Sequence, residues 1–312
     1  MLYRSLGRSG LKVSVIGLGT NQFGGKVTRE TAADIIHAAL ESGINFIDTA
    51  DVYQQGRSEE AIGAALHGRR DRVVIATKVR HPTGEGPNQG GATRIHIMHG
   101  IEASLRRLQT DFIDLYQIHR WDNDTPLEET MQALEDLVRS GKVLYIGASN
   151  FSAWHLTWAN ALAELNGWTK FISLQPHYHM FERQAEAELL PACRYFGIGV
   201  LPYFPLAGGF LTGKYKQGQP PPTGSRGESN PYVQSYMTEA NFSRLEKLQN
   251  FAQTRGRSIN ALAHAWLAAQ PMVSSVISGA TRVEQVLENA AAVEWQLSSE
   301  EEATVRNILE GD

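Results

Sequence analysis

Short apolar runs rich in β-branched residues recur along the chain and alternate with stretches of helical periodicity. Eight of these runs have the length and composition of β-strands. They cover residues 13–20, 44–50, 72–78, 111–119, 143–150, 171–176, 197–206 and 274–280. This pattern predicts that strands and helices alternate along most of the chain.

Residues 28–43 show what the helical stretches share. Apolar positions recur every three or four residues, Thr28 can cap the start of the helix, and Gly43 can end it. The same periodicity predicts helices at residues 58–66, 93–108, 127–140, 152–165, 183–195 and 283–292.

A helix between two strands returns the chain to the same edge of a sheet, so the alternation predicts parallel strands. Eight such units predict a (β/α)8 barrel, in the α/β class. An open, doubly wound sheet stays possible at this point because periodicity does not show whether the sheet closes.

Three segments fall outside the repeat. The start of the chain, YRSLGRSGLKV, predicts a hairpin across the bottom of the barrel. Residues 207–238 are rich in Gly and Pro and too long for an ordinary connection, which predicts either a functional flap or a disordered excursion. Residues 239–255 and 258–269 predict an extra pair of helices before the last strand. We therefore expect one barrel domain over residues 1–312, with a long loop at 207–238.

Composition narrows the possible partners and locations. The chain has 42% hydrophobic and 20% charged residues and a net charge of -4, which is ordinary for a globular protein. It has no run of Lys or Arg that would indicate nucleic acid or a membrane surface as a partner. The longest apolar runs are far too short to span a bilayer. The single cysteine, Cys193, and a start without an apolar leader predict a cytoplasmic protein, whose oligomeric state stays open.

Polar residues end three neighbouring predicted strands: Asp48, Lys78 and His119, with Tyr53 five residues after Asp48. In a barrel of this kind the carboxyl ends of the strands surround the active site. Each residue alone has an ordinary explanation, such as a turn cap or a packed side chain. Burying Asp48 and Lys78 together, however, is costly unless they pair, so a functional site is favoured.

These residue types suit carbonyl reduction. Tyrosine has a pKa of about 10, and a neighbouring ammonium group is expected to lower the pKa of Tyr53. Tyr53 would then exchange a proton, Asp48 would hold Lys78, and His119 would hydrogen-bond the substrate oxygen.

Five longer motifs occur in order along the chain: GINFIDTADVYQQGRSEEAIG (43–63), LRRLQTDFIDLYQIH (105–119), KVLYIGASNFS (142–152), YFPLAGGFLTGKY (203–215) and SGATRVEQVLENA (278–290). With these motifs, the chain resembles aldo-keto reductases over nearly its entire length. Within that family, the motif sequences are closer to those of bacterial reductases and potassium-channel β-subunits than to those of aldose reductase. The resemblance implies an NADPH-dependent reductase that converts an aldehyde or ketone to an alcohol. Its catalytic tetrad would be Asp48, Tyr53, Lys78 and His119, with Tyr53 as general acid.

The same resemblance assigns the cofactor contacts. It implies that Ser149, Asn150 and Gln175 hold the carboxamide, that Tyr203 stacks on the nicotinamide, and that Leu206, Gly208 and Lys214 line the pyrophosphate. It further implies Gln285, Glu288 and Asn289 for the adenosine, and Arg226 with Thr281 for the 2′-phosphate. Gly279 precedes a helix whose free N–H groups suit an anion. From the residues themselves, Phe23 and Trp121 are hypotheses for the substrate-pocket wall.

Other patterns carry less weight. The glycines of GLGTNQFGG, Gly17, Gly19 and Gly24, have the wrong spacing for a dinucleotide-binding fingerprint. His177 and His179 would need further ligands to bind a metal, so no metal site is expected. Two other functions remain: a nicotinamide-sensing regulatory or channel-associated subunit, and a Schiff-base enzyme using Lys78, against which the neighbouring Asp48 argues.

Overall fold

The N-terminal segment forms the predicted hairpin. The computed structural model describes residues 1–311, and in it β1 (Tyr3–Ser5) pairs antiparallel with β2 (Lys12–Ser14). Gly7 sits in the turn with φ +58°, and an added Cβ there would lie 2.6 Å from the carbonyl oxygen of Ile172. This close approach presses the hairpin against the barrel, and Leu6 is buried among side chains of its interior.

Eight parallel strands follow and form one sheet. They are β3 (Ile16–Gly19), β4 (Phe46–Asp48), β5 (Val74–Val79), β6 (Ile113–Ile118), β7 (Val143–Ser149), β8 (Phe171–Gln175), β9 (Gly199–Val200) and β10 (Val276–Gly279). From β3 to β9 each strand pairs with the next along the chain, and β10 pairs with β3.

Backbone hydrogen bonds close the ring between β9 and β10. The Val200 amide donates to the carbonyl of Met272 at 2.8 Å, and the Ile277 amide donates to the carbonyl of Pro202 at 2.9 Å. The sheet is therefore a closed (β/α)8 barrel, which confirms that prediction and excludes the open, doubly wound alternative.

Helices surround the ring and connect its strands. They are α1 (Arg29–Glu41), α2 (Arg57–Ala65), α3 (Arg94–Leu108), α4 (Leu127–Arg139), α5 (Ala153–Asn166), α6 (Leu189–Phe196), α7 (Arg226–Ser229), α8 (Pro231–Gln234), α9 (Glu239–Gln253), α10 (Ile259–Ala269), α11 (Val283–Ala292) and α12 (Ser299–Glu310). Thr28 caps α1 as predicted, because its side chain accepts a hydrogen bond from the Thr31 amide. None of the helices in residues 1–311 is both long and apolar enough to cross a membrane.

Three differences from the prediction have local causes. Strand β9 has two residues instead of the predicted 197–206, a stretch that contains Pro202 and Pro205, whose nitrogens cannot donate to a strand ladder. Helix α6 begins at Leu189 because residues 184–186 form a separate 3-10 turn. Helix α12 was not predicted, although Ser298 and Glu301 form a capping box at its start.

Residues 207–238 fold onto the barrel. They contain a 3-10 turn, Ala207–Thr212, followed by the short helices α7 and α8. Buried side chains such as Phe210 and Val233 attach this segment to the main core between the ring and its helices. The segment is thus a folded flap rather than a disordered excursion.

Candidate active site

The predicted catalytic residues meet at the carboxyl ends of three adjacent strands. Asp48 is the last residue of β4, Lys78 lies near the end of β5, and His119 follows β6. Tyr53 begins a 3-10 turn, Tyr53–Gly56, that leads from β4 to α2. The parallel register therefore brings together residues that are far apart in the sequence.

A buried ion pair forms the floor of the site. The Lys78 ammonium donates to Oδ2 of Asp48 at 2.7 Å and to the carbonyl oxygen of Thr49 at 2.7 Å. The side chain of Lys78 is 0% exposed. The other carboxylate oxygen of Asp48 accepts a hydrogen bond of 2.7 Å from the Gln175 amide. Because both charges have hydrogen-bond partners, the pair tolerates its burial.

Tyr53 lies directly above this pair. Its hydroxyl oxygen is 3.4 Å from the Lys78 ammonium, which also lies 5.0 Å from the centre of the tyrosine ring. A single lysine therefore links the buried carboxylate of Asp48 to the phenol that faces the cavity.

The charge states of the two residues follow from burial and pairing. Burial alone lowers the pKa of Lys78, but Asp48 and Tyr53 reverse this, and the pKa lies above its ordinary value. Lys78 thus stays charged, which argues against a Schiff-base nucleophile. Burial raises the pKa of Tyr53 and outweighs the opposite effect of Lys78. The expectation that the pKa of Tyr53 is lowered was wrong, and the Tyr53 hydroxyl stays protonated.

His119 completes the site as a neutral side chain. Its ring contacts the ring of Tyr53 edge-on, with centroids 5.7 Å apart, and that of His81 at 4.6 Å. Burial, with Lys78 as a second cause, lowers the pKa of His119 to about 2. Its buried Nδ1 has no hydrogen-bond partner within residues 1–311. Because His119 also lines the cavity, its neutral imidazole is available to a polar ligand atom there.

A connected polar network forms the adjoining wall. Asn150, in the left-handed region with φ +54°, donates to the His119 carbonyl oxygen and to Oγ of Ser149, each at 3.0 Å. The Tyr203 hydroxyl donates to Oδ1 of Asn150 at 2.9 Å, and Ser149 donates to the Gln175 carbonyl at 2.9 Å. The residues that the resemblance assigns to a carboxamide are thus held in one arrangement.

A cavity of about 440 Å³ extends from this floor to the flap. Asp48, Tyr53 and His119 line its inner end, with Lys78 beneath them. Eleven of the residues assigned to the cofactor line the rest: Ser149, Asn150, Gln175, Tyr203, Leu206, Gly208, Lys214, Arg226, Gly279, Thr281 and Gln285.

The outer end of the cavity carries positive charge and a close backbone approach. Neither Lys214 nor Arg226 has a carboxylate partner in the described part of the chain, and the Arg226 guanidinium lies 5.3 Å from the centre of the Phe204 ring. Gly209 has φ +99°, and an added Cβ would lie 2.7 Å from the Lys214 ammonium. The geometry leaves room for an anion beside two cations.

Comparison with known proteins agrees with this geometry. The profile of the Aldo/keto reductase family matches residues 15–310. The chain belongs to the aldo/keto reductase family.

Three relatives illustrate its range. The uncharacterised oxidoreductase YrpG of Bacillus subtilis is 40% identical, with 100% of this chain and 97% of the relative covered. A probable voltage-gated potassium channel subunit beta of Arabidopsis thaliana is 40% identical, over 94% of this chain and 92% of the relative. Versiconal hemiacetal acetate reductase of Aspergillus parasiticus is 34% identical, over 96% and 95%.

Aldo/keto reductases generally use nicotinamide cofactors, and the residues of this chain fit such a group. Asn150 and Gln175 supply amide groups next to the aromatic ring of Tyr203, while Lys214 and Arg226 supply positive charge at the other end. A nicotinamide cofactor carries an amide-bearing ring at one end and phosphates farther along, so amide and aromatic side chains followed by cations match it.

Four of the predicted site residues are not brought to the cavity. Phe23 is 0% exposed and packs in the core, and Trp121 stacks on His155 with ring centroids 3.9 Å apart. Glu288 is exposed on α11, and Asn289 is buried close to Asn260. The structure thus gives no cavity contact for the proposed substrate wall of Phe23 and Trp121.

Sequence reasoning also missed part of the lining. Asn21, Gln22 and Lys26, in the connection after β3, all line the cavity, as does Phe204. The signal for the first three was their position: they follow a strand end, as the catalytic residues do.

Proposed function

We propose that this chain is an NADPH-dependent reductase that converts a small aldehyde or ketone to the alcohol, in the cytoplasm, with Tyr53 as general acid. The observation that carries the proposal is the Tyr53 hydroxyl, 3.4 Å from the Lys78 ammonium, which is itself fixed by Asp48 at 2.7 Å. This arrangement stands at the floor of a cavity that fits a nicotinamide cofactor.

In this proposal, side chains of the protein donate the proton and stabilise the charge that it leaves behind. A carbonyl oxygen bound between Tyr53 and His119 would accept hydrogen bonds from both side chains. As negative charge develops on that oxygen, the Tyr53 O–H bond breaks and its proton passes to the substrate. Lys78 then stabilises the phenolate that remains. A bound nicotinamide would supply the hydride for the carbonyl carbon.

The preference for NADPH rests on the outer end of the cavity. Arg226 and Thr281 are proposed to bind the 2′-phosphate, and Lys214, Leu206 and Gly208 the pyrophosphate. Both cations lack a carboxylate partner in residues 1–311 and thus have their charge available. The adenosine is assigned to Gln285, which lines the cavity, and to Glu288 and Asn289, which lie farther along α11 outside the cavity lining; Gly279 also lines the cavity.

A second function has one observation in its favour. The similarity to the Arabidopsis channel subunit extends over 94% of this chain, which would fit a nicotinamide-sensing regulatory subunit. The complete tetrad favours the enzyme, because a sensor needs no proton donor backed by a buried ammonium group.

The direct test follows NADPH absorbance with a panel of aromatic and aliphatic aldehydes and ketones, and identifies the alcohol by chromatography. We expect turnover with at least one class of aldehyde and lower efficiency with NADH. Tight NADPH binding without turnover across the panel would favour the sensor, and no binding of either cofactor would reject both functions.

A further inference from the structure

The flap of residues 207–238 makes a specific polar contact with the barrel through α8. The Tyr232 hydroxyl is hydrogen-bonded to Nδ1 of His177, in the segment that follows β8. The next residue, Val233, is buried beside Gly208 and Phe204. Helix α8 therefore combines an apolar anchor with a hydrogen bond from its Tyr232 side chain to the barrel.

His177 in turn supports the ring that faces the cavity. The imidazole stacks on the ring of Tyr203, with centroids 5.2 Å apart and planes 20° from parallel. Tyr203 donates to Asn150 from its hydroxyl. One continuous set of contacts thus runs from Tyr232 through His177 and Tyr203 to the polar wall of the candidate active site.

The protonation states suit this hydrogen bond. Burial lowers the pKa of His177 to about 4, so the imidazole is neutral at physiological pH and one ring nitrogen can accept a hydrogen bond. Burial also raises the pKa of Tyr232, so its hydroxyl remains a donor. The nearest carboxylate, that of Glu182, is 4.0 Å from Nδ1 of His177.

The same flap carries the cation assigned to the 2′-phosphate. Arg226 opens α7 and lies over the ring of Phe204, the residue that follows Tyr203. Phe204 itself has φ +65°, a conformation held by its surroundings. The flap is therefore linked to two consecutive aromatic residues: Arg226 lies over Phe204, and Tyr232 reaches Tyr203 through His177.

We propose that Tyr232 and His177 are positioning residues that couple the closed flap to the orientation of Tyr203. The coupling itself stands on these contacts, and its effect on cofactor retention rests on the proposed function. When the hydrogen bond forms, it holds α8 against the barrel, and the His177 ring keeps its stacking contact with Tyr203 on the side away from the cavity. When it is lost, both the flap and the ring gain freedom.

The test uses three variants of the full chain. Tyr232→Phe removes only the hydroxyl, His177→Phe keeps an aromatic ring behind Tyr203 but removes the acceptor, and the third variant combines both. Tyr195→Phe, at a residue 81% exposed on α6, is the matched control. Urea unfolding of each variant checks that it is folded.

Two measurements need no cofactor. Hydrogen exchange of the amides of residues 226–238 reports on the flap, and NMR of protein with 13C-labelled tyrosine reports on the Tyr203 ring, assigned with Tyr203→Phe. We expect Tyr232→Phe to speed exchange about two- to fivefold, which corresponds to the loss of one partly solvent-exposed hydrogen bond, and to shift the Tyr203 signal. The double variant should change exchange no more than the larger single variant, because both remove one interaction.

A third measurement is the NADPH dissociation rate, followed by fluorescence. We expect a rise of about two- to fivefold in Tyr232→Phe and none in Tyr195→Phe. Unchanged exchange and an unshifted Tyr203 signal in Tyr232→Phe, or additive effects in the double variant, would overturn the proposal. Wild-type protein that does not bind NADPH would reject the proposed function, while exchange and NMR would still decide whether the flap and Tyr203 are coupled.

Discussion

The two ends of the cavity differ in whether their charged side chains are paired. At the inner end, Lys78 is fully buried and paired with Asp48, and both are held by strand ends. At the outer end, Lys214 and Arg226 lie on the flap and have no carboxylate partner in the described residues. Paired, buried charge suits a preorganised reaction site, whereas unpaired cations suit a ligand that brings its own negative charge.

This difference predicts different consequences of substitution. The inner end is fixed by the hydrogen-bond ladder of the barrel, so removing a reacting group there should affect the rate and leave the geometry intact. The outer end has little to do with proton transfer, so substitutions there should affect affinity.

The largest expected effect is at Tyr53. Tyr53→Phe should reduce turnover by about 10³-fold, because it removes the proton donor but keeps the ring. The NADPH dissociation constant, measured by fluorescence titration, should change less than about twofold. Tyr195→Phe is the matched control and should behave as wild type. Retained turnover in Tyr53→Phe would show that another group donates the proton.

The next effect is at Arg226. Arg226→Ala should weaken NADPH by about 10- to 100-fold, the loss of a charge-assisted contact to phosphate, and leave NADH nearly unchanged. Lys214→Ala, on the same flap, should weaken both cofactors alike because pyrophosphate is common to them. Calorimetric titration measures both. Equal losses for the two cofactors in Arg226→Ala would remove the 2′-phosphate assignment.

A smaller effect concerns Asp51, next to the catalytic floor. It is 2% exposed, and both carboxylate oxygens lack a hydrogen-bond partner in residues 1–311. Burial, with the nearby charge of Glu59, raises its pKa to about 8. Relative to an unfolded pKa of about 4, its contribution to stability is fully present below that value and is lost as the pH rises through about 8.

Asp51→Asn should therefore be more stable than wild type by about 1–3 kcal/mol at high pH, with the difference shrinking toward about pH 4. Urea unfolding at several pH values measures this. Asp111→Asn, at an exposed position, is the control and should show no such trend. A pH-independent difference for Asp51→Asn would mean that the carboxyl group is not neutral in the folded protein.

The smallest expected effect is an absence of pH dependence. Because burial holds the pKa of Tyr53 above its ordinary value, the rate of reduction at saturating substrates should not fall between about pH 6 and pH 9 through loss of the Tyr53 proton. Asp51→Asn should give the same profile, which separates ionisation of Asp51 from that of Tyr53. A fall in rate near neutral pH in both proteins would mean that Lys78 lowers the pKa of Tyr53 in the working enzyme.

The sequence allowed the inner end to be predicted better than the outer end. Asp48, Lys78 and His119 could be found because parallel strands in one barrel must bring their carboxyl ends together. The sign of the Tyr53 pKa shift could not, because it depends on how deeply the phenol is buried as well as on the nearby ammonium. Phe23 was expected at the cavity, but the direction of a side chain in a loop depends on packing that one sequence does not show. The contact of Tyr232 with His177 joins residues 55 apart through a flap without a regular repeat.

The most direct test of the account is reduction of an aldehyde with NADPH that carries deuterium on the transferable C4 position, followed by mass spectrometry of the alcohol. We expect one deuterium on the carbinol carbon with wild-type protein, and only trace product with Tyr53→Phe at saturating cofactor. Alcohol without the label, or labelled alcohol formed by Tyr53→Phe at the wild-type rate, would contradict the central claim that this cavity reduces carbonyl groups with Tyr53 as the acid.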